Sequence, residues 1–299
     1  KMGAQIDSRE SGLPPLTIRG GNLTPVSYEL PVASAQVKSC VLLAGLSADG
    51  TTSVMEKVPT RDHTERALPL FGVPVRKEGG LISVTGPAQL KGTEVTVPGD
   101  MSSAVFFMAA ALLVPGSRLR ISGVGVNPSR SALLQLLKQG GADITEEELD
   151  HAGSEPCCNL LISYSPGLFA AFPAEIRGDS IPNLIDEIPV LAIIGTCLDK
   201  GLVVRDALEL RNKESDRIYA VVRNMRALGI TIEEFEDGFH IPGRQVFEGG
   251  EIESFGDHRI AMAFSIAGLI SGNGIRIKEP DCVNISFPGF YEVLDSLRG

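Results

Sequence analysis

A chain of 299 residues, 43% of them apolar, is long enough for one large or two ordinary domains with sizeable cores. Its formal charge of −10 counts against nucleic acid or an anionic membrane as the main partner, since either would need a separate basic patch. A small anionic substrate stays compatible wherever the few cations converge. No secretory signal, transit peptide or apolar run of membrane length occurs, which points to the cytoplasm, or to an organelle after removal of a leader.

The chain opens on Lys1-Met2-Gly3-Ala4-Gln5-Ile6, which reads as the end of a helix running into a strand, so it is expected to begin inside a domain. Four segments then share one order of features: a polar or acidic anchor, an apolar helix ending near glycine, a strand, and a second helix opened by polar residues and closed by glycine. In the first, Ser34 and Gln36 precede an apolar run to Gly45-Leu46, residues 52–56 form a strand, and Arg61-Asp62-His63 opens a helix that reaches Phe71-Gly72. In the second, Asp100 caps a helix over 104–114, followed by a strand over 118–123 and a helix over 129–139.

The third carries Asp186-Glu187-Ile188-Pro189, a helix over 190–197, a strand over 202–205, and a helix whose apolar positions Ile218, Val221, Val222, Met225 and Leu228 stop at Gly229. The fourth carries Asp257-His258-Arg259, a helix over 260–270, a strand over 274–278 and a helix over 287–297. Residues 81–84, 94–97, 159–162 and 239–242 alternate as strands, and the polar stretch 146–156 reads as a surface loop. The repeating unit is roughly 65 to 85 residues of interleaved helices and strands, with each apolar helix expected to be buried. Val97-Pro98-Gly99 is the best domain boundary.

Chemistry concentrates where helices start. In the densest such stretch, Leu208-Glu209-Leu210-Arg211-Asn212-Lys213-Glu214-Ser215-Asp216-Arg217, Lys213 and Arg217 are four apart and are expected on one helical face, with Glu214 and Asp216 turned elsewhere. Unpaired backbone N–H groups at a helix start favour anions, so a bound phosphate or carboxylate is one reading; a solvated, salt-bridged helix start is the other. Asp186 and Glu187 read either as first-turn acids favoured by the helix dipole or as working carboxylates. Ser34 and Asp100 read as caps, His63 and His258 as braces for loops, Ser102-Ser103 as structural, and Arg118, Arg120 and Arg130 as solvated. The histidines His63, His151, His240 and His258 are scattered, so no metal site is expected. Cys40, Cys157, Cys158, Cys197 and Cys282 form no C-x-x-C pair and read as free thiols, buried by default. No phosphate loop occurs, and Gly123-Val124-Gly125 fails the dinucleotide fingerprint.

Six motifs, in order, carry a resemblance over essentially the whole chain. They are Leu13-Pro14-Pro15-Leu16-Thr17-Ile18-Arg19-Gly20, Ala33-Ser34-Ala35-Gln36-Val37-Lys38-Ser39, Pro59-Thr60-Arg61-Asp62-His63-Thr64-Glu65, Asp186-Glu187-Ile188-Pro189, Lys213-Glu214-Ser215-Asp216-Arg217 and Gly256-Asp257-His258-Arg259-Ile260-Ala261-Met262. With them the sequence resembles the 5-enolpyruvylshikimate-3-phosphate synthases, the enolpyruvyl transferases of the shikimate pathway, which leads to chorismate and the aromatic amino acids.

The resemblance implies an α/β (α+β) fold of two similar domains, each of three βαβαββ units with buried helices and sheets outside, and an active site in the cleft between them. Residues 1–98 would hold one full unit of the first domain plus part of another, and 99–299 the three units of the second. The implied reaction joins phosphoenolpyruvate to the 5-hydroxyl of shikimate 3-phosphate and releases phosphate, with no metal or organic cofactor. Ser34, Ala35, Gln36 and Arg61 would hold shikimate 3-phosphate; Asp186 and Lys213 would face its reacting hydroxyl. Arg217 and Arg259 would clamp phosphoenolpyruvate, with Glu214 near its methylene carbon.

Three departures bear on this. The family's early lysine-serine-arginine set, and the glycine-rich stretch and arginine after it, would precede Lys1, so the isolated chain is expected to be incomplete for catalysis. Ala35 replaces a serine of many members, and Asn284-Ile285 stands where some members carry a further lysine. A non-catalytic fragment that binds shikimate 3-phosphate and needs an amino-terminal partner is therefore the alternative. A relative acting on UDP-N-acetylglucosamine is a second, against which residues 60–65 argue.

Overall fold

The computed structural model describes residues 1–150 and 155–297, and the chain divides into two compact units, the first spanning Lys1–Thr96 and taking in Glu155, the second made of the rest from Val97 on. In the first unit β1 (Gln5–Asp7) pairs antiparallel with β2 (Thr17–Arg19). There follow β3 (Ser27–Glu29), α1 (Ala35–Gly45), β4 (Gly50–Met55), α2 (His63–Leu70), β5 (Arg76–Glu78) and β6 (Leu81–Gly86). The strands β3 to β6 form one sheet in the order β3-β4-β6-β5, with β3 parallel to β4 and the other pairs antiparallel. Strict alternation sets the buried face: Thr52 and Val54 of β4 and Ile82 and Val84 of β6 lie on the side of Leu42, Leu46 and Leu68. Ser34 caps α1, its hydroxyl accepting from the Val37 N–H at 3.3 Å.

Not every apolar helix is buried. In α1 Lys38, Leu42 and Gly45 are covered, whereas Leu43 is 49% exposed, because the sheet meets one side of a helix whose apolar residues are spread around its circumference. Gly45 is where helix and sheet approach most closely: a Cβ there would lie 2.6 Å from Thr52 Cβ.

In the second unit α3 (Met101–Leu113), β7 (Arg118–Gly125), α4 (Ala132–Gln139), β8 (Ile144–Asp150) and β9 (Cys157–Ser163) come first. The sheet runs β7-β9-β8, and a single parallel bridge from Gly99 to Val124 stands where a first strand would pair. Residues 94–97 are therefore not a strand: their alternation is real, but the Pro98 nitrogen has no hydrogen to donate to a ladder there. The stretch expected as a loop is partly β8, whose described residues run to Asp150; 151–154 lie outside the described residues.

The chain continues through α5 (Leu168–Ala171), β10 (Glu175–Ile176), α6 (Ile181–Leu184), α7 (Ile188–Gly195), β11 (Leu202–Val204), α8 (Arg217–Ala227), β12 (Glu233–Phe235) and β13 (Gly238–Ile241). The order β10-β11-β13-β12, with β10 parallel to β11 and β13 antiparallel to both its neighbours, repeats the sheet of the first unit strand for strand. Last come β14 (Gly250–Glu253), α9 (His258–Ile270), β15 (Ile275–Lys278) and α10 (Phe290–Ser296), with β14 parallel to β15 across the α9 crossover. The last helix starts later than the apolar pattern suggests, because Gly289 at φ 83° breaks the run from Phe287.

The helices α3, α7 and α9 form the centre of this unit. Every residue of α7 is buried, and Phe106, Met108 and Leu112 of α3 and Ile260, Phe264 and Ile266 of α9 join it in one continuous core under the sheets. Gly195 of α7 meets Leu202 as Gly45 meets Thr52, with a Cβ there 2.9 Å from Leu202 Cβ; Gly268 of α9 faces Ile275 more loosely, at 3.8 Å. Among the described residues, no helix is long and apolar enough to cross a membrane. The cysteines are free; Cys40 is exposed, contrary to the expectation of burial, and burial pushes the Cys158 thiol up to about 11.

Candidate active site

Three helix starts in the second unit are tied together by Asp257. It caps α9, accepting from the Arg259 N–H at 2.9 Å, and its side chain is fully buried. A carboxylate in that position needs a counter-charge, and Arg217, the first residue of α8, supplies it: Nε donates to Asp257 Oδ2 at 2.8 Å and Nη2 to Oδ1 at 3.4 Å, while the Ser215 hydroxyl donates to Oδ2 at 3.0 Å. Arg217 also donates from Nη1 to Asp186 Oδ1 at 3.3 Å and from Nη2 to Glu214 Oε2 at 2.7 Å, with only 2% of its side chain exposed. Burial works against charge on both partners. Their mutual pairing nevertheless holds Asp257 below the usual carboxylate range, helped by the Arg259 N–H and Ser215, and raises Arg217.

Beside this web lies a second one. Glu187, the residue before α7, is buried, and Ser102 Oγ of α3 donates to its Oε1 at 2.5 Å. Arg259 Nη1 donates to the Ser102 carbonyl at 3.1 Å and stands 3.9 Å from Glu187 Oε1, which leaves Nε and Nη2 of Arg259 without a hydrogen-bond partner among the described residues. Burial raises the Glu187 pKa, only partly offset by Ser102 and Arg259. Arg130 Nη2 donates to Asp100 Oδ1 and Ser102 Oγ, both at 2.6 Å. Partial desolvation of Asp100, whose side chain is 51% exposed, opposes ionisation, but Arg130 and Ser103 keep its pKa low. His258 next to Arg259 is held below its ordinary value by burial and by that arginine's charge, and its Nδ1 has no hydrogen-bond partner among the described residues.

The structure thus brings Asp186, Glu214 and Arg217 into direct contact and links Arg259 to them through Asp257. It does not bring Lys213 to them. Asp216 is the N-cap of α8, accepting from the Tyr219 N–H at 2.9 Å, so the helix begins at Arg217 and Lys213 lies before it in extended backbone. Lys213 Nζ pairs instead with Glu209 Oε1 at 2.5 Å. Equally, Glu214 turns toward Arg217, not away, and Arg130 and Ser102 are linking residues rather than a solvated cation and a plain scaffold serine. The Asp100 side chain makes no cap hydrogen bond to α3 and pairs with Arg130.

In the first unit Ser34, Ala35 and Gln36 sit at the start of α1, Ser34 Oγ donating to Gln36 Oε1 at 3.5 Å, and Arg61 lies two residues before α2. Behind the starts of α1 and α2 is a residue absent from the expected site, Lys38, fully buried against Glu56 at 3.0 Å and Glu65 at 2.7 Å. Among the described residues there is no grouping of histidine, cysteine, aspartate and glutamate that could hold a metal.

Repeated βαβαββ units of this kind define the enolpyruvyl transferase fold. The enolpyruvyl transferase NikO from Streptomyces tendae superimposes with TM-score 0.77 over 99% of this chain and 68% of its own; at 17% identity that likeness speaks for the fold alone. Sequence carries the assignment further. The family EPSP synthase (3-phosphoshikimate 1-carboxyvinyltransferase) matches residues 1–294. The 3-phosphoshikimate 1-carboxyvinyltransferases of Solibacter usitatus and Bacillus licheniformis are 50% and 47% identical, each over 99% of this chain and 69% of their own length. An EPSP synthase structure from Acinetobacter baumannii is 45% identical and superimposes with TM-score 0.88 over 99% of this chain and 68% of that one. The chain belongs to the EPSP synthase family of transferases.

Proposed function

We propose that this protein transfers the enolpyruvyl group of phosphoenolpyruvate to the 5-hydroxyl of shikimate 3-phosphate and releases phosphate, a cytoplasmic step toward aromatic amino acids. The hydroxyl oxygen bonds to C2 as C3 takes a proton; phosphate then leaves C2 as C3 gives a proton up. Nothing is oxidised, so the work is to hold two anions and move protons. The observation that carries the reading is the arginine pair at the starts of α8 and α9, both anchored by buried Asp257. Arg259 has the rest of its fork open and grips the phosphoenolpyruvate anion, each charge-assisted bond contributing roughly 1.5–3 kcal/mol. Arg217 is filled by carboxylates, so an incoming anion takes the place of Glu214, the most exposed of them at 54%.

Asp186, held on Arg217 Nη1, faces the reacting hydroxyl and either takes its proton or aims it. Glu214, once released, stands near the methylene carbon, and Lys213 joins it after leaving Glu209. Ser34, Gln36, Arg61 and the Ala35 backbone hold shikimate 3-phosphate. The same reading takes residues 1–98 and 99–299 as the domains, supported by the compact division after Thr96. The test is phosphate release from phosphoenolpyruvate by the active enzyme, with mass spectrometry of the product. Release must require shikimate 3-phosphate and yield its carboxyvinyl ether; release supported by UDP-N-acetylglucosamine instead would overturn the assignment.

A further inference from the structure

Lys38, Glu56 and Glu65 have side chains 0%, 3% and 7% exposed. Burying three charges is costly, and apolar residues of similar size would generally serve stability as well or better, so stability alone does not account for the set. Its contacts converge on the backbone just before Arg61. Glu56 Oε2 accepts from the Thr60 N–H at 3.1 Å and from the Thr60 hydroxyl at 2.9 Å, while Lys38 Nζ donates to the Thr60 carbonyl at 3.5 Å. Both backbone polar groups of Thr60 are thereby fixed by side chains. Lys38 lies on the first turn of α1, its N–H bonded to the Ser34 carbonyl at 3.1 Å, and Glu65 on the first turn of α2. A hydroxyl pair, Ser39 and Thr64 at 2.6 Å, joins the same two helices.

We propose that Lys38, Glu56 and Glu65 are positioning residues for shikimate 3-phosphate: they lock the start of α1, with Ser34 and Gln36, to the point from which Arg61 departs. The proposal rests on the function put forward above. A single ammonium shared by two carboxylates from different elements, the end of β4 and the start of α2, acts as a rigid three-way joint. An apolar filling would hold the volume but not the direction, and a displacement on the order of 1 Å at a binding arginine is costly for recognition.

Two variants separate positioning from stability. Glu65→Gln keeps the volume and leaves Lys38 balanced by Glu56, so the fold survives. The triple change Lys38→Met, Glu56→Leu and Glu65→Leu replaces the set with an apolar core of similar size. Calorimetric titration with shikimate 3-phosphate, alongside a thermal melt, reads both. Expected are affinity losses of about tenfold or more in each variant, with melting temperatures at or above that of wild type for the triple change. Affinities within about twofold of wild type in both variants would overturn the positioning role. Absence of binding by the wild-type protein would instead remove the functional reading on which it rests.

Discussion

Replacing Asp257 by asparagine keeps the side chain's size and its ability to accept from the Arg259 N–H, but removes the charge that Arg217 faces at 2.8 Å. Water cannot compensate, because the Arg217 side chain is 2% exposed. Breaking a buried pair from one side costs about 3–5 kcal/mol. Arg217 retains Asp186 at 3.3 Å and Glu214 at 2.7 Å, so the low end applies, about 3 kcal/mol. For a domain of this size that lowers Tm by roughly 6–12 °C. Asp257→Ala additionally loses the cap, a further loss of about 1 kcal/mol.

Acid acts on the same pair. The folded pKa of Asp257 lies below its unfolded value, so its stabilisation is full above the ordinary aspartate pKa and is lost as pH falls through the lowered folded value. Wild type therefore loses this contribution only on acidification below about pH 4, and Asp257→Asn lacks that component of the curve. Thermal melts between about pH 3 and about pH 8 measure both effects. A Tm for Asp257→Asn within about 2 °C of wild type at neutral pH would show that the web around Arg217 does not hold these helix starts together.

Asp186→Asn should leave shikimate 3-phosphate affinity within about tenfold while kcat falls roughly a hundredfold to ten-thousandfold; normal turnover in a less stable protein would leave Asp186 only a stabilising acid beside its helix. Arg259→Lys keeps the charge but loses the planar fork, so calorimetry should show weaker phosphoenolpyruvate binding and unchanged shikimate 3-phosphate binding; equal loss of both would make Arg259 structural. Glu187 has a raised folded pKa, so its contribution is fully present below the ordinary glutamate value and is lost as pH rises through the raised one. Glu187→Gln should accordingly melt at or above the wild-type temperature at neutral pH with a flatter profile above about pH 5, and a steeper profile would contradict the assignment.

The central helices were legible because α7 and α9 are long apolar runs opened by acids and closed near glycine, a pattern that few structures other than a buried helix satisfy. The site was legible in residue types but not in partners. Spacing placed Lys213 on the face of Arg217 by assuming one continuous helix, and the Asp216 cap defeats that assumption by a single residue. Asp257 and Lys38 stood out as polar residues at helix starts, but not as buried charges, for another reason: an aspartate before a helix and a lysine within one are ordinary at the surface. Only the packing of distant segments, Arg217 against Asp257 and Glu56 against Lys38, makes them buried charges. The strand expected at 94–97 shows the converse, a local pattern that the Pro98 ring leaves without a ladder.

At each of the helix-to-strand crossings the glycine faces the residue seven places further on, Gly45 with Thr52, Gly195 with Leu202 and Gly268 with Ile275, and this makes the copies controls for one another. At Gly45 and Gly195 an added methyl would press into Thr52 and Leu202, whereas at Gly268 it would meet Ile275 at an ordinary contact distance. The same position in the repeat thus requires glycine in two places and merely tolerates it in the third. Alanine at Gly268 would restrict the unfolded chain without crowding the folded one, so the room for engineering a tougher protein lies at the loosest of the three crossings.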